Sequence, residues 1–360
     1  MKTLFTLKQV IAVCSAIVIT AGLFAQGGSV SKEVNKDFKV NPNTRLELSN
    51  KYGNVDIVNR KDAALSIRVV VKVNMRDRER AESMLRMVEI NIVQTGDVIR
   101  ATTDISEEFG RMFRGFNSGD DGLEINYTVS MPSSVPLNLS NKYGNVFIDE
   151  LVSTSTIDVK YGKLTANRIF HDSKEPLTKI FLSYSNGTIT EAKWIELDIK
   201  YSKLGITDSK ALAVLSKYSK LNVGNGTSIV SESKYDTYEI GTVTNFITTA
   251  AYGHFTIKEL SGKLQVDTKY SDVIVDRIPQ FEVIKITNSY GSYKLGISPS
   301  AAYKLNGYAK YCSIDYPENN ARVSRFNENN EMKVNGTVGG TNPTAEVSVS
   351  SHYGNIRLIP

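Results

Sequence analysis

Cysteine, histidine and tryptophan are nearly missing from this chain. Among 360 residues there are 2 Cys, 3 His and 1 Trp. Cys14 lies in an apolar N-terminal run, so only Cys312 would survive removal of that run. No intrachain disulfide and no cysteine metal site is then available. His171, His254 and His352 stand alone, and neither HxH nor HExxH occurs, which removes the usual zinc patterns. Proline is scarce at 9, and 25 Gly without a triplet period exclude collagen-like and Pro-rich classes. GxSxG, P-loop and dinucleotide-binding patterns are also missing. Neither charge sign dominates, with 43 Lys+Arg against 38 Asp+Glu. A hydrophobic fraction of 41% with 22% charged residues excludes wholesale disorder.

Residues 1–25 read as a secretory signal. Lys2 and Lys8 precede an apolar run from Val10 to Phe24, and Ala25 precedes Gln26 as a cleavage site. The run is short for a membrane span, which needs about 20 apolar residues. Cleavage would leave 41 basic residues against 38 acidic ones, so neither nucleic acid nor an anionic membrane is demanded as a partner. No further segment of spanning length follows. The expected location is extracytoplasmic, in the periplasm, at the cell surface or secreted.

What the chain does have is tyrosine, 18 against 13 Phe. KYGNV occurs at 51–55 and 142–146, and YGNI at 353–356. Relaxed to Tyr followed by Gly, Ser, Asp or Cys, the pattern has twelve copies: Tyr52, Tyr143, Tyr161, Tyr184, Tyr201, Tyr218, Tyr235, Tyr252, Tyr270, Tyr290, Tyr311 and Tyr353. From Tyr143 to Tyr311 the spacing runs between 17 and 23 residues. Four residues before Tyr, nine of the twelve positions are aliphatic, and three residues after, eleven are apolar or aromatic. Within each flank the apolar period is 2, the signature of a strand with one buried face. The parity breaks just after Tyr, where six copies have Gly and four have Ser, so the strand must bend there.

A unit this short cannot bury its face alone, but stacked units can, each coil pairing in parallel with the next. The period is too short for a propeller blade. The expected fold is all-β: a right-handed parallel β-helix, or β-solenoid, of 17–21-residue coils. Residues 136–360 form the repeat domain in this reading. Residues 26–135 form an N-terminal β-rich cap, with strands at Leu65–Val73, Glu89–Val93, Val98–Thr102 and Gly122–Met131. One helix is expected at about 76–88, where Ala81, Met84, Leu85 and Val88 fall on one face. The polar stretches 104–121 and 317–345 read as loops.

The repeated KYGNV, the Tyr-Gly/Ser-x-aliphatic register and the lead-in strand–helix–strand region resemble the DUF4097 family of candidate adhesins. They are similar too to the related auto-transporter adhesin head, or GIN, domain family. The resemblance covers about 40–360. It implies an extracytoplasmic β-solenoid with an adhesive or surface role, and it carries no catalytic residues to transfer.

The residue before Tyr is Lys in eight copies, among them Lys160, Lys200, Lys217, Lys234 and Lys269. A column of cations at coil spacing could bind an acidic glycan or another envelope component. Asp158, Asp198, Glu232 and Asp267, two residues earlier on the same face, would neutralise it. The tyrosines themselves share the parity of the aliphatics before them, so they point inward or lie at a corner. An aromatic platform for sugars would need their ring faces exposed. A second candidate is the loop FGRMFRGF at 109–116, where Phe113, Arg114 and Phe116 mix aromatic and cationic groups. Cys312 takes the small-residue place at a bend. No catalytic residue, metal or cofactor is expected. The leading reading is an exported, non-enzymatic, adhesin-like binding protein of the surface or envelope. A carbohydrate-active β-helix enzyme and a purely structural envelope protein are the alternatives.

Overall fold

The computed structural model describes residues 29–109, 122–171, 177–340 and 342–359. The signal expected at 1–25 and the candidate residues Phe113, Arg114 and Phe116 lie outside that range. The fold is an all-β solenoid. Each coil has a leading strand that ends at the Tyr and a trailing strand that starts two residues later. Leading strands pair in parallel with leading strands, and trailing with trailing. In the middle of the stack the trailing strand of one coil runs straight into the leading strand of the next. Lys203–Lys217, Lys220–Lys234 and Thr237–Ala251 are such continuous strands of 15 residues. Their burial lapses at the centre, around Thr207–Lys210 in the first, where the chain turns between the two faces.

Pairing is in register. Leu204 lies beside Leu221 and Val223 beside Ile240, so each buried position continues as a row along the stack. The core is therefore one apolar column that includes Leu48, Leu139, Ile157, Ile180 and Leu197, each 0–2% exposed. Size is exchanged between the two faces. Where the leading strands offer the smaller Ser231 and Thr248, hydrogen-bonded to each other at 2.8 Å, the trailing strands supply Tyr238 and Phe255. These two rings meet edge to face at 5.1 Å.

Both ends are closed by antiparallel strands. At the N-terminal end the trailing ladder finishes on Ser29–Lys39 against Ala64–Asn74, and the leading ladder on Val88–Thr95 against Val98–Ile105. The helix Arg78–Arg86 packs against strands of both ladders and buries Ala81 and Met84. Asp77 caps it by accepting from the N–H of Arg80 at 3.1 Å. Helix and strands fall within a few residues of their expected limits.

The C-terminal end departs from chain order. The last coil, built from Ala345–His352 and Ile356–Ile359, inserts between the coils of Tyr290 and Tyr311. The 317–345 stretch is not simply a loop. Its strands Ala321–Glu328 and Glu331–Val338 form a hairpin that pairs antiparallel to Tyr303–Lys310 and closes the stack. The outer strand, Ala321–Glu328, is mostly exposed, which is why its sequence lacks the apolar alternation of a buried strand.

Candidate functional site

The twelve tyrosines form a single column. Its order is that of the coils: Tyr52, Tyr143 and so on to Tyr290, then Tyr353, then Tyr311. Neighbouring ring centroids lie 4.8–5.3 Å apart and the rings are within 15° of parallel. Eleven steps at coil spacing make a ridge about 54 Å long along its course.

The backbone explains why the rings are outside. All twelve tyrosines have φ between 51° and 63°, the left-handed region that side chains other than glycine avoid. That conformation swings the side chain off the strand's alternation and out at the corner. Eleven of them are 38–52% exposed. Of the two placements allowed by parity, the corner is the one found. Each Tyr N–H still donates to a carbonyl of the neighbouring coil or closing hairpin at 2.8–3.1 Å, as in Tyr201 to Lys217 and Tyr311 to Asn330. The strain of a left-handed residue, roughly 1–3 kcal/mol, is offset by these bonds and by ring contacts of about 0.5–1.5 kcal/mol each. Because each ring covers its neighbour, the faces are used up within the column. What meets solvent is a row of phenolic edges, so the face-on platform for sugars is not what the ladder offers.

Beneath the ridge runs a second column, of hydrogen bonds. The N–H of Ser185 donates to Ser202 Oγ at 3.1 Å, and that of Ser202 to Ser219 Oγ at 3.2 Å. Ser219 N–H then donates to Asp236 Oδ1 at 2.7 Å. Asp236 is 3% exposed and also accepts from the hydroxyls of Ser216 and Ser233 and from the N–H of Lys234, all at 2.7–2.9 Å. Four donors thus compensate the burial of one carboxylate. The Tyr238 hydroxyl joins the group through Ser216 at 2.6 Å, and burial pushes its phenol above the usual range. Cys312 is half-buried at a bend, its Sγ 3.3 Å from the carbonyl of Lys310.

The lysines before Tyr share one exposed row on the leading ladder. Lys200, Lys217 and Lys234 are immediate register neighbours. Ser183 separates Lys160 from that run, and Ala251 separates Lys269 from it. The expected neutralisation is half realised. Asp158 pairs with Lys160 at 3.1 Å and Asp198 with Lys200 at 3.0 Å. Lys217 has Leu215, 49% exposed, where the others have an acid. Its ammonium lies instead 5.5 Å from the Tyr218 ring centre, and that of Lys234 lies 5.2 Å from the Tyr235 ring centre.

A second row of lysines went unnoticed in the sequence. Lys163, Lys203 and Lys220 lie two residues after Tyr, on the opposite flank of the ridge, with Lys203 and Lys220 register neighbours. The signal was legible as KYGKL at 160–164 and KYSKL at 200–204 and 217–221. A groove beside the ridge is lined by Tyr184, Tyr201, Tyr218 and Tyr235 together with Lys203 and Lys220. Another, on the leading side, is lined by Lys200, Lys217, Lys234 and Lys269 with Leu215 and the two carboxylates Glu232 and Asp267.

The histidines do not meet. His171 lies 3.1 Å from the Thr154 hydroxyl, His254 is 3.5 Å from the Thr256 hydroxyl, and His352 stands edge-on to Tyr308. Among the described residues no three His, Cys, Asp or Glu side chains converge on one point. Phe109, the first residue of the 109–116 stretch, is buried. No helix among the described residues is long and apolar enough to cross a membrane.

No family model matches the chain, and no curated protein does. Several solved structures are similar to it. A candidate adhesin from Parabacteroides merdae ATCC 43184 is 11% identical over 73% of this chain and 95% of its own, with a TM-score of 0.38. A candidate lipid-binding protein from Parabacteroides distasonis ATCC 8503 is 11% identical over 73% and 96%, with a TM-score of 0.35. A candidate adhesin from Bacteroides fragilis NCTC 9343 is 10% identical over 90% and 96%, with a TM-score of 0.29.

Proposed function

We propose that the chain is an exported, non-enzymatic solenoid that presents one edge as a binding surface at the cell envelope, in the manner of an adhesin. The observation that supports it is the tyrosine ridge. Twelve residues are held in a strained conformation so that their side chains line one exposed edge, and both grooves beside that edge are lined by lysines. Elsewhere strain of this kind clusters at functional sites. A rigid, in-register surface of this length suits repeated weak contacts with an extended partner better than one deep contact with a small molecule.

The test is a binding screen of the chain from Gln26 onward against neutral and charged glycans and envelope fractions. Saturable binding that falls at least tenfold when Lys200, Lys217 and Lys234 are changed together to Glu is the expected result. Binding to none of these materials would refute the proposal. Fractionation of cells expressing the full chain checks export, the expected result being a processed product outside the cytoplasm.

A further inference from the structure

We infer that the ridge between Tyr161 and Tyr235 is a site for a linear acidic polysaccharide. Its sugars would lie along the phenolic edges and its anionic groups between the two lysine rows. The inference rests on the binding reading above and commits it to one place and one ligand class.

Lysine flanks the ridge on both sides only in the coils of Tyr161, Tyr201 and Tyr218, as Lys160 and Lys163, Lys200 and Lys203, and Lys217 and Lys220. Lys234 extends the leading row by one coil. Away from this segment the doubled pattern stops. The residues two after Tyr are Asn54 and Asn145 towards one end, and His254, Asp272 and Ser292 towards the other. The leading lysine nearest the C-terminal end, Lys310, is held by Glu331 at 3.1 Å, which raises its pKa.

Asp158, Asp198 and Glu239 pair with Lys160, Lys200 and Lys220. Among the described residues no ion pair holds Lys163, Lys203, Lys217 or Lys234, and Glu232 is the carboxylate that shares the leading groove with Lys217 and Lys234. In-register stacking sets Lys200 beside Lys217 beside Lys234, and Lys203 beside Lys220. Like charges directly opposite on neighbouring strands are destabilising, and a fold under no other demand would interleave acids there. A polyanion laid along the rows removes that repulsion.

Geometry chooses among polyanions. Single-stranded nucleic acid is held by bases stacked on exposed ring faces. Here each face lies about 4.9 Å from the next ring, within the column. An extended peptide needs free backbone groups to add as a strand. Along the ridge the Tyr N–H groups and the carbonyls before each Tyr are already bonded to one another, as in Tyr184 to Lys200 and Tyr201 to Lys217. What is left is a row of phenol groups that both donate and accept, repeating at close to the length of one pyranose unit, with ammonium groups on either side. That matches a hydroxyl-rich chain carrying one carboxylate or phosphate per sugar or per few sugars.

The experiment uses polygalacturonate, and its fully methyl-esterified form as a neutral control, with the chain from Gln26 onward. Polygalacturonate should bind, more weakly as salt rises, and the neutral ester at least tenfold more weakly. Lys203→Glu with Lys220→Glu should weaken binding at least tenfold, and so should Lys217→Glu with Lys234→Glu. Lys294→Glu, in the coil of Tyr290 and so outside the Tyr161–Tyr235 segment, should change it less than twofold. Far-UV spectra confirm that each variant folds. Equal binding of ester and acid, or unchanged binding by both double variants, overturns the inference. Binding to neutral glycans or envelope fractions without polygalacturonate overturns it and leaves the broader binding reading standing. Binding to nothing overturns both.

Discussion

The corner after Tyr is built with two chemistries in different regions of the stack. At Tyr52, Tyr143 and Tyr290 the next residue is Gly and the residue two before is Asn. The buried amide of that Asn holds carbonyls at the corner: Asn50 donates to Ile125 O of the neighbouring strand at 3.0 Å, Asn141 to the bend carbonyl of Gly53 at 3.1 Å and Asn288 to that of Gly291 at 2.7 Å. Coils approach so closely there that a Cβ on Gly144 would lie 1.8 Å from the Gly53 carbonyl oxygen. At Tyr184, Tyr201 and Tyr218 the next residue is Ser, whose hydroxyl receives the N–H of the coil before. The position two before Tyr is then free to be Leu182 or Ile199, both in the core. Gly162 marks the border between the two, and Gly253 interrupts the serine region between Asp236 and Ser271. Each gives its N–H to a Ser of the next coil, so Val159 and Ala250 serve where an Asn would otherwise stand. The bend is thus specified by two positions together, and neither alone predicts it.

The largest break in the serine region should come at Asp236. Asp236→Ala leaves four donors without their acceptor, two of them buried hydroxyls, and should cost about 3–5 kcal/mol. Asp236→Ser copies the bends at Ser202 and Ser219 and should cost less than half as much. Urea midpoints with an unchanged slope measure both. Equal losses for Ala and Ser would mean that the carboxylate, and not the bend's acceptor, is what the coil needs.

In the glycine region the expected break is somewhat smaller. Gly144→Ala forces a methyl group against backbone and should destabilise by about 3 kcal/mol. Gly205→Ala is the control. The nearest atom to its Cβ is 4.0 Å away, and the change should stay within about 0.5 kcal/mol. If Gly144→Ala proved equally silent, the coils would have to separate freely at that corner, and the contrast between the two bends would lose its steric basis.

Much of this was open to sequence reading, because in-register stacking repeats the same residue type at the same place in each coil. The apolar rows, the Tyr register and the helix at Arg78–Arg86 follow from periodicity alone. The outward swing of Tyr does not, since alternation holds within a strand and φ near 55° breaks it. The insertion of Ala345–His352 between two earlier coils was also hidden. The 42-residue gap before Tyr353 shows that something intervenes, but strand pairing partners are not written in one strand's own pattern. The second lysine row was missed for a different reason. A Lys on a solvent-facing strand is expected as protection against unwanted pairing, and only its register beside the first row gives it meaning.

The smallest effects test the ridge itself, where both regions share one geometry. Tyr201→Phe removes only a hydroxyl at the exposed edge and should leave stability within about 0.5 kcal/mol. Tyr201→Ala loses two ring contacts, about 1–3 kcal/mol, and keeps a left-handed residue. Tyr201→Gly loses the same contacts but relieves strain of roughly 1–2 kcal/mol, against about 0.5–1 kcal/mol for the greater freedom of unfolded glycine. The Gly variant should therefore be the more stable of the two, by about 0.5–1 kcal/mol in urea unfolding. The opposite order would mean that the corner is not strained at Tyr201. The tyrosines would then be sufficiently explained by the stack they form, and the case for a surface held at a cost would rest on the lysines alone.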